Sequence, residues 1–250
     1  EAEQLYRRAL DILERSGGAQ NGDYLRALAN LGTLYLKRGD LETSKRHLQE
    51  ALRGITEGLG SRHPLALTVR SNLAFIDESQ GDLETARSSL REAIELADGD
   101  QAGKAYSEAM LNLATLEKKL GDLDAAAEIH QAIAEREGDR SLVGLYGLTF
   151  ASRHAFDKER WLEAETLATT AVLGFQKRTD SEAWLLSAQR TRGLAILEQG
   201  RAREARDQLA ERLALIKERS RTGLSSQSAL DTAKADLARA EGALRESGAP

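Results

Sequence analysis

The chain has 250 residues, no cysteine, two prolines and a formal net charge of −5 at pH 7. The lack of cysteine excludes disulfides and thiolate metal sites, and the acidic balance argues against a general nucleic-acid-binding protein. Ala, Leu, Glu and Arg dominate the composition, which is typical of an all-helical protein. The most apolar stretch, residues 142–151, is about half the length that a membrane-spanning helix needs. We therefore predict an all-α fold without membrane insertion.

A helix–turn–helix pattern is clearest in residues 25–52. Apolar and small residues at helical spacing flank a Gly-Asp turn; they are Leu28, Leu31, Gly32 and Tyr35 before it and Ser44, Leu48 and Ala51 after it. The turn recurs roughly every 40 residues, as Gly39-Asp40-Leu41-Glu42, Gly81-Asp82-Leu83-Glu84, Gly121-Asp122-Leu123-Asp124, Glu159-Arg160-Trp161-Leu162 and Gly200-Arg201-Ala202-Arg203. Such a fixed period predicts a repeat protein, in which stacked helical pairs form the core together.

The predicted repeats assign almost the whole chain to helical pairs with one additional helix at each end. Residues 1–15 match the second helix of a truncated repeat, and residues 226–246 form a C-terminal capping helix with one wet face. Between them we expect five repeats, at residues 25–56, 65–97, 104–137, 142–177 and 182–219. The predicted domain is a single solenoid over residues 1–250. Because the chain begins within a repeat, we expect it to be part of a longer protein.

The pattern Leu28-x2-Leu31-Gly32-x2-Tyr35, followed by small and large residues in the second helix, resembles the tetratricopeptide repeat (TPR). The long period and the Gly60-Ser61-Arg62-His63-Pro64 segment resemble the kinesin-light-chain type of this repeat, which is common in bacterial signalling proteins. Repeats four and five depart from the pattern, since one lacks the turn glycine and the other has Arg192 in place of Leu. The resemblance implies a right-handed superhelix of antiparallel helix pairs. It also implies a concave groove lined by the first helix of each pair.

An asparagine recurs at one position of the first helix, as Asn30, Asn72 and Asn112. Asparagine is a mediocre helix former, and its amide carries the donors and the acceptor that suit an extended peptide backbone. In the kinesin-light-chain family an Asn here contacts bound peptide, and the resemblance implies that role for these three positions. The alternative is that they bond to a neighbouring helix. The predicted peptide-binding residues are Asn30, Asn72, Asn112, Arg26, Thr33, Lys37, Thr115, Lys119, Tyr146 and Arg153.

The predicted groove changes character along the chain. Cationic side chains in repeats one and three are expected to meet acidic groups of the bound segment. Tyr146, Phe150, Leu194 and Trp184 are expected on the corresponding face of repeats four and five, as an apolar anchor. The alternative for the aromatic residues is packing against the C-terminal helix.

No catalytic motif was found in the sequence, so we predict no catalytic residue, no cofactor and no metal site. Among the histidines, His47 and His154 are expected on helix surfaces, His63 in a His-Pro helix start, and His130 partly buried in place of a core leucine. No phosphate-binding loop and no Gly-x-Ser-x-Gly elbow occurs. Catalytic activity is therefore the least favoured of the alternative functions.

The predicted function is a cytoplasmic scaffold that binds a protein or peptide partner in its concave groove. Two alternatives remain open. The chain is either a regulatory or sensor domain of a larger signalling protein, attached to an upstream kinase or nucleotide-driven switch, or a self-associating scaffold.

Overall fold

The computed structural model describes residues 1–17, 21–97, 103–178 and 181–247, and these residues form helices and short connections with no strand. The helices are α1 (Ala2–Gly17), α2 (Gly22–Lys37), α3 (Leu41–Gly58), α4 (Pro64–Ser79), α5 (Leu83–Leu96), α6 (Lys104–Leu120), α7 (Leu123–Glu137), α8 (Leu142–Asp157), α9 (Trp161–Phe175), α10 (Glu182–Glu198), α11 (Ala202–Arg221) and α12 (Gln227–Glu246). The predicted all-α helical repeat fold is confirmed.

Contacts divide the chain into two compact units, Glu1–Ile129 and His130–Pro250. Within each unit, helices pack mainly against their neighbours in sequence, and α4 also contacts both α2 and α6. This order of contacts is typical of repeat proteins. The division into five repeats of one solenoid stays a prediction.

The helix ends follow from local sequence. Asp40 accepts a hydrogen bond from the Thr43 N–H at 3.1 Å, and Ser141 caps α8 through the Gly144 N–H. His63 caps α4, with its Nδ1 accepting from the Leu65 N–H at 3.2 Å and Pro64 in the first turn. The sequence-predicted His-Pro segment therefore lies at the start of α4.

In the first unit, the core lies between the faces of α2, α3 and α4, and includes Leu25, Leu48 and Ile55, which are fully buried. Gly32 permits the close approach of α2 and α3, because a Cβ there would lie 2.8 Å from Leu48 Cγ. The Ser44 hydroxyl donates to the Gly32 carbonyl at 2.8 Å across the same contact. Small residues thus set the distance between helices, and leucines fill the remaining space.

In the second unit, Leu145 and Phe175 are fully buried between α8 and α9. A Cβ on Gly147 would lie 2.4 Å from the His130 carbonyl oxygen, so α8 approaches the backbone of α7 through this glycine.

The alanines that the sequence assigned to close helix contacts are buried in both units; they are Ala74, Ala86, Ala93, Ala114, Ala126, Ala164 and Ala205.

Three expectations about exposure were wrong. His154 is buried, at 8% exposure, and His47 is half-buried with its ring stacked on Tyr35, so neither lies on an open helix surface. Leu194, expected on the groove face, is buried in a cluster with Leu209 and Ala240. Residues 193–197 of α10 are all buried, so this part of the helix has no single apolar stripe. The sequence pattern therefore could not predict which side of the helix faces solvent.

Candidate functional site

The recurring asparagines lie on α2, α4 and α6 of the first unit. Asn30 and Asn112 are exposed, and neither has a hydrogen-bond partner among the described residues. Asn72 is half-buried, and its Nδ2 donates to Thr33 Oγ1 at 3.0 Å. The Thr33 hydroxyl in turn donates to the Ala29 carbonyl at 2.9 Å. One asparagine therefore makes a contact between helices, while the other two have unused amides.

The cationic residues of this unit also differ from one another. Lys119 on α6 forms an ion pair with Glu78 on α4, which occupies its charge. Arg26 and Lys37 on α2 are exposed and have no charged partner among the residues described. Thr115 is exposed, and its hydroxyl donates to the Leu111 carbonyl of its own helix at 2.9 Å. Arg26 and Lys37 therefore remain available to an acidic partner.

The predicted residues of the second unit lie on α8. The Tyr146 ring lies 4.6 Å from the ring of Trp184 and 6.0 Å from that of Phe175, measured between centroids. Trp184 is 43% exposed, whereas the Phe150 ring lies against His130 at 4.3 Å. Tyr146 and Trp184 thus form an aromatic pair that is partly open to solvent, built from α8 and α10.

Arg153, the other predicted residue of α8, is exposed and pairs with Asp157 one turn later, at 3.0 Å from its Nε. It also lines a cavity of about 370 Å³ together with Arg190, Arg212 and Arg219. The sequence reading missed the last three arginines. A signal was present, because Arg212 stands within the apolar stripe of Leu209, Leu213 and Ile216. Asp236 likewise stands in the buried stripe of Ala233 and Ala240.

A polar cavity of about 530 Å³ lies among α1, α2 and α3 of the first unit. The Tyr35 hydroxyl, which lines it, donates to Glu3 at 2.9 Å and accepts from Arg7 at 3.0 Å. Hydrogen bonds from Arg38 and then Tyr35 lower the pKa of Glu3. Burial lowers the pKa of His47, and its Nδ1 is buried without a hydrogen bond. These contacts dock α1 against α2 and supply no arrangement of nucleophile and base.

The described parts of the chain contain no group of three or more His, Asp or Glu side chains positioned to hold a metal ion. Across the same residues, none of the helices combines the length and the apolar character that a bilayer crossing requires.

A profile of the tetratricopeptide repeat family matches residues 1–57 and, again, residues 33–99. A search of curated proteins found no significant match. Solved structures that share the fold include three from different sources. BtubC (BKLC) from P. vanneervenii is 15% identical, with a TM-score of 0.62, over 100% of this chain and 90% of that one.

The second structure is a putative kinesin light chain with nearly identical TPR-like repeats from Podosopora anserina. It is 19% identical, with a TM-score of 0.55, over 76% of this chain and 93% of that one. The third is the Rap conjugation gene regulator of plasmid pLS20, in complex with the Phr* peptide. It is 17% identical, with a TM-score of 0.51, over 98% of this chain and 68% of that one. At these identities the similarity concerns the fold alone.

Proposed function

We propose that this chain is a tetratricopeptide repeat protein of the kinesin-light-chain type and a non-catalytic scaffold that binds an extended segment of a partner protein; the family match over residues 1–99 and the shared fold support this. The binding surface is the face of α2, α4 and α6 that carries Asn30, Asn72 and Asn112, which we call the asparagine face. In the second unit, Tyr146 and Arg153 on α8 are proposed as separate peptide-contacting residues. The place of action that fits this role is the cytoplasm.

The observation that carries the proposal is the pair of unused amides on Asn30 and Asn112. A side-chain amide that serves no internal contact contributes little to folding, and it weakens the helix slightly. Facing an extended peptide, the same amide can donate to a backbone carbonyl and accept from a backbone N–H. Asn72 then has a supporting role, because its bond to Thr33 holds α4 against α2 at the same face.

Each unit offers further groups for recognition. In the first unit, Arg26 and Lys37 offer positive charge on the same helix as Asn30. In the second unit, considered by itself, the Tyr146–Trp184 pair offers partly open aromatic rings. Aromatic side chains that bury a partner's apolar group often supply much of the binding energy. The Rap regulator of the same fold, solved with a peptide, supports the proposal by analogy. A sensor domain within a larger signalling protein would use the same face.

The experiment selects peptides from a displayed random library against the whole chain and measures their affinity by fluorescence anisotropy. The double variant Asn30→Ala, Asn112→Ala should bind the selected peptide about tenfold more weakly, or worse, because two hydrogen bonds to the peptide backbone are lost. The matched control is Gln49→Ala combined with Gln131→Ala, which removes two exposed amides from α3 and α7. Circular dichroism checks that all proteins are equally helical.

Equal binding by wild type and the asparagine variant would contradict the proposal. Light scattering over a range of concentrations tests the alternative of a self-associating scaffold. Growth of the particle mass with concentration in the absence of peptide would favour that alternative.

A further inference from the structure

The cavity of about 370 Å³ in the second unit is lined by four guanidinium groups. They belong to Arg153 of α8, Arg190 of α10, and Arg212 and Arg219 of α11. Leu224, Ser225, Ser226 and Ala229, from the connection to α12 and its first turn, complete one wall. The N-terminus of a 20-residue helix therefore opens toward the same space. The Ser226 hydroxyl caps it by accepting from the Ala229 N–H, and the helix N-terminus carries partial positive charge.

Two of these arginines share one carboxylate. Arg190 binds Asp236 through Nε at 2.7 Å and through Nη2 at 3.1 Å, and Arg212 binds it through Nη1 at 3.3 Å. This contact joins α10 and α11 to α12. It uses the Nε and Nη2 donors of Arg190 and the Nη1 donor of Arg212. Arg153 and Arg219 take no part in this contact, although both line the cavity.

Arg212 retains an unused donor. Its side chain is almost fully buried, at 6% residue exposure, and its Nε donates to the Leu186 carbonyl at 3.0 Å. Its Nη2 has no hydrogen-bond partner among the described residues, and the same holds for Nη1 of Arg190. Neither nitrogen belongs to the buried side-chain atoms that lack a hydrogen bond, so both are reached from the cavity and can donate to an acceptor that enters it.

The charges around the cavity leave an excess of positive charge. Besides Asp236, the carboxylates that pair with its arginines are Asp157, bound to Arg153, and Glu182, bound to Arg219. Among the described residues, three carboxylates thus pair with the four guanidinium groups. The Nε and Nη2 of Arg219 are already occupied by Ser225 and by the Leu224 carbonyl, so its remaining contribution is charge.

We propose that this cavity, the arginine cavity, binds the carboxylate of an acidic side chain in a partner segment. The inference rests on the proposed function and names the chemistry that the partner must carry. The planar guanidinium presents paired donors that match the two oxygens of a carboxylate, and a partly enclosed site strengthens such charge-assisted bonds. Arg153, one of the predicted peptide-binding residues, lines this cavity, which links the cavity to the proposed function.

The test uses a fluorescein-labelled peptide with four consecutive glutamates and its matched form with four glutamines, added to the whole chain. Fluorescence anisotropy should detect binding of the glutamate peptide only. Arg153→Gln and Arg219→Gln should each weaken that binding about tenfold, because each removes one of the four charges. Arg206→Gln on α11 is the matched control, since its charge pairs with the adjacent Asp207 outside the cavity, and it should leave the affinity unchanged.

Three results would overturn the inference. The first is an equal affinity for the glutamate and glutamine peptides. The second is a loss of affinity in Arg206→Gln as large as in Arg153→Gln, which would indicate attraction by general charge. The third is displacement of the peptide by inorganic phosphate far beyond the effect of sodium chloride at the same ionic strength, which would make the cavity a site for free anions.

The two proposals fail separately. A library-selected peptide that needs Asn30 and Asn112 but is unaffected by Arg153→Gln and Arg219→Gln would overturn the arginine cavity alone. A glutamate peptide that needs the arginines, while no selected peptide needs the asparagines, would instead contradict the asparagine face. Arg212 is left unchanged in these variants because its loss would leave Asp236 buried with one partner fewer.

Discussion

At the scale of single residues, Glu159 shows how a degraded turn keeps its geometry. Its φ is +59°, in the left-handed region, where the equivalent turns have glycine: Gly39 (φ +79°), Gly81 (φ +92°), Gly121 (φ +84°) and Gly200 (φ +78°). The turn between α8 and α9 therefore has the conformation of the others although its glycine is missing. A residue with a Cβ pays a steric cost there that glycine avoids.

Replacing Glu159 by glycine should stabilise the chain. The expected gain in the free energy of unfolding is about 1 kcal/mol, because the strain of a left-handed residue with a side chain is removed. Urea denaturation followed by circular dichroism measures it. Glu159→Ala removes the same charge but keeps a Cβ, so it should give no comparable gain. An equal gain in both variants would mean that charge, rather than backbone strain, is responsible.

At the scale of helices, ion pairs join neighbouring elements along both units. Lys45 of α3 pairs with Asp77 of α4 at 3.0 Å, and Arg201 at the start of α11 pairs with Glu165 of α9 at 2.7 Å. The most enclosed example is Glu117 of α6, which is 0% exposed and accepts from Arg91 of α5 at 2.6 Å. A buried carboxylate depends on its cationic partner, since it is cut off from water.

Arg91→Met should therefore lower the free energy of unfolding by about 2 kcal/mol, because Arg87, at 3.7 Å, is then the one cation that pairs with Glu117 among the described residues. Urea denaturation provides the measurement. Adding Glu117→Met to this variant should recover most of the loss, since the uncompensated charge disappears. Arg15→Met, which breaks the exposed pair with Asp11, is the control and should change stability by less than about 0.5 kcal/mol. Equal losses in Arg91→Met and Arg15→Met would contradict this account of Glu117.

At the scale of the whole molecule, two spectroscopic signals report on different parts of the chain. Both tryptophans, Trp161 and Trp184, belong to the unit His130–Pro250, whereas circular dichroism reports helices of both units. The stability of a repeat protein is approximately a sum of local terms and contacts between neighbours. A destabilising substitution should then lower the stability of its own unit more than that of the other unit.

Two glycine substitutions test this expectation in urea denaturation. Gly147→Ala places a Cβ 2.4 Å from the His130 carbonyl oxygen and should lower the fluorescence-detected stability by about 2 kcal/mol. Gly32→Ala, which crowds Leu48 at 2.8 Å, should shift the circular dichroism transition while leaving the fluorescence midpoint nearly unchanged. Gly242→Ala on α12 is the control, because its Cβ would meet nothing within 4 Å. An equal shift of both signals by Gly32→Ala would show a single cooperative unit.

Much of the fold and part of the candidate site could be predicted from the sequence. The recurring turn and the helical spacing of Leu and Ala predicted the helices, and Gly32 was correctly assigned to a close contact. The sequence showed that Asn30, Asn72 and Asn112 occupy the same position of the repeat. It could not show which of the three amides is used in a contact between helices. Only the position of Thr33 beside Asn72 shows that one amide is occupied while the other two are unused.

The sequence by itself determined the all-α repeat architecture, because the spacing of apolar residues and the Gly-Asp turns are local signals that each repeat carries. Tertiary structure alone decided the burial of His154 and Leu194 and the grouping of Arg153, Arg190, Arg212 and Arg219 around one cavity. The reason is physical. Those four arginines come from three helices, and their proximity depends on how α8, α10 and α11 pack, a non-local arrangement that no periodicity within one helix encodes.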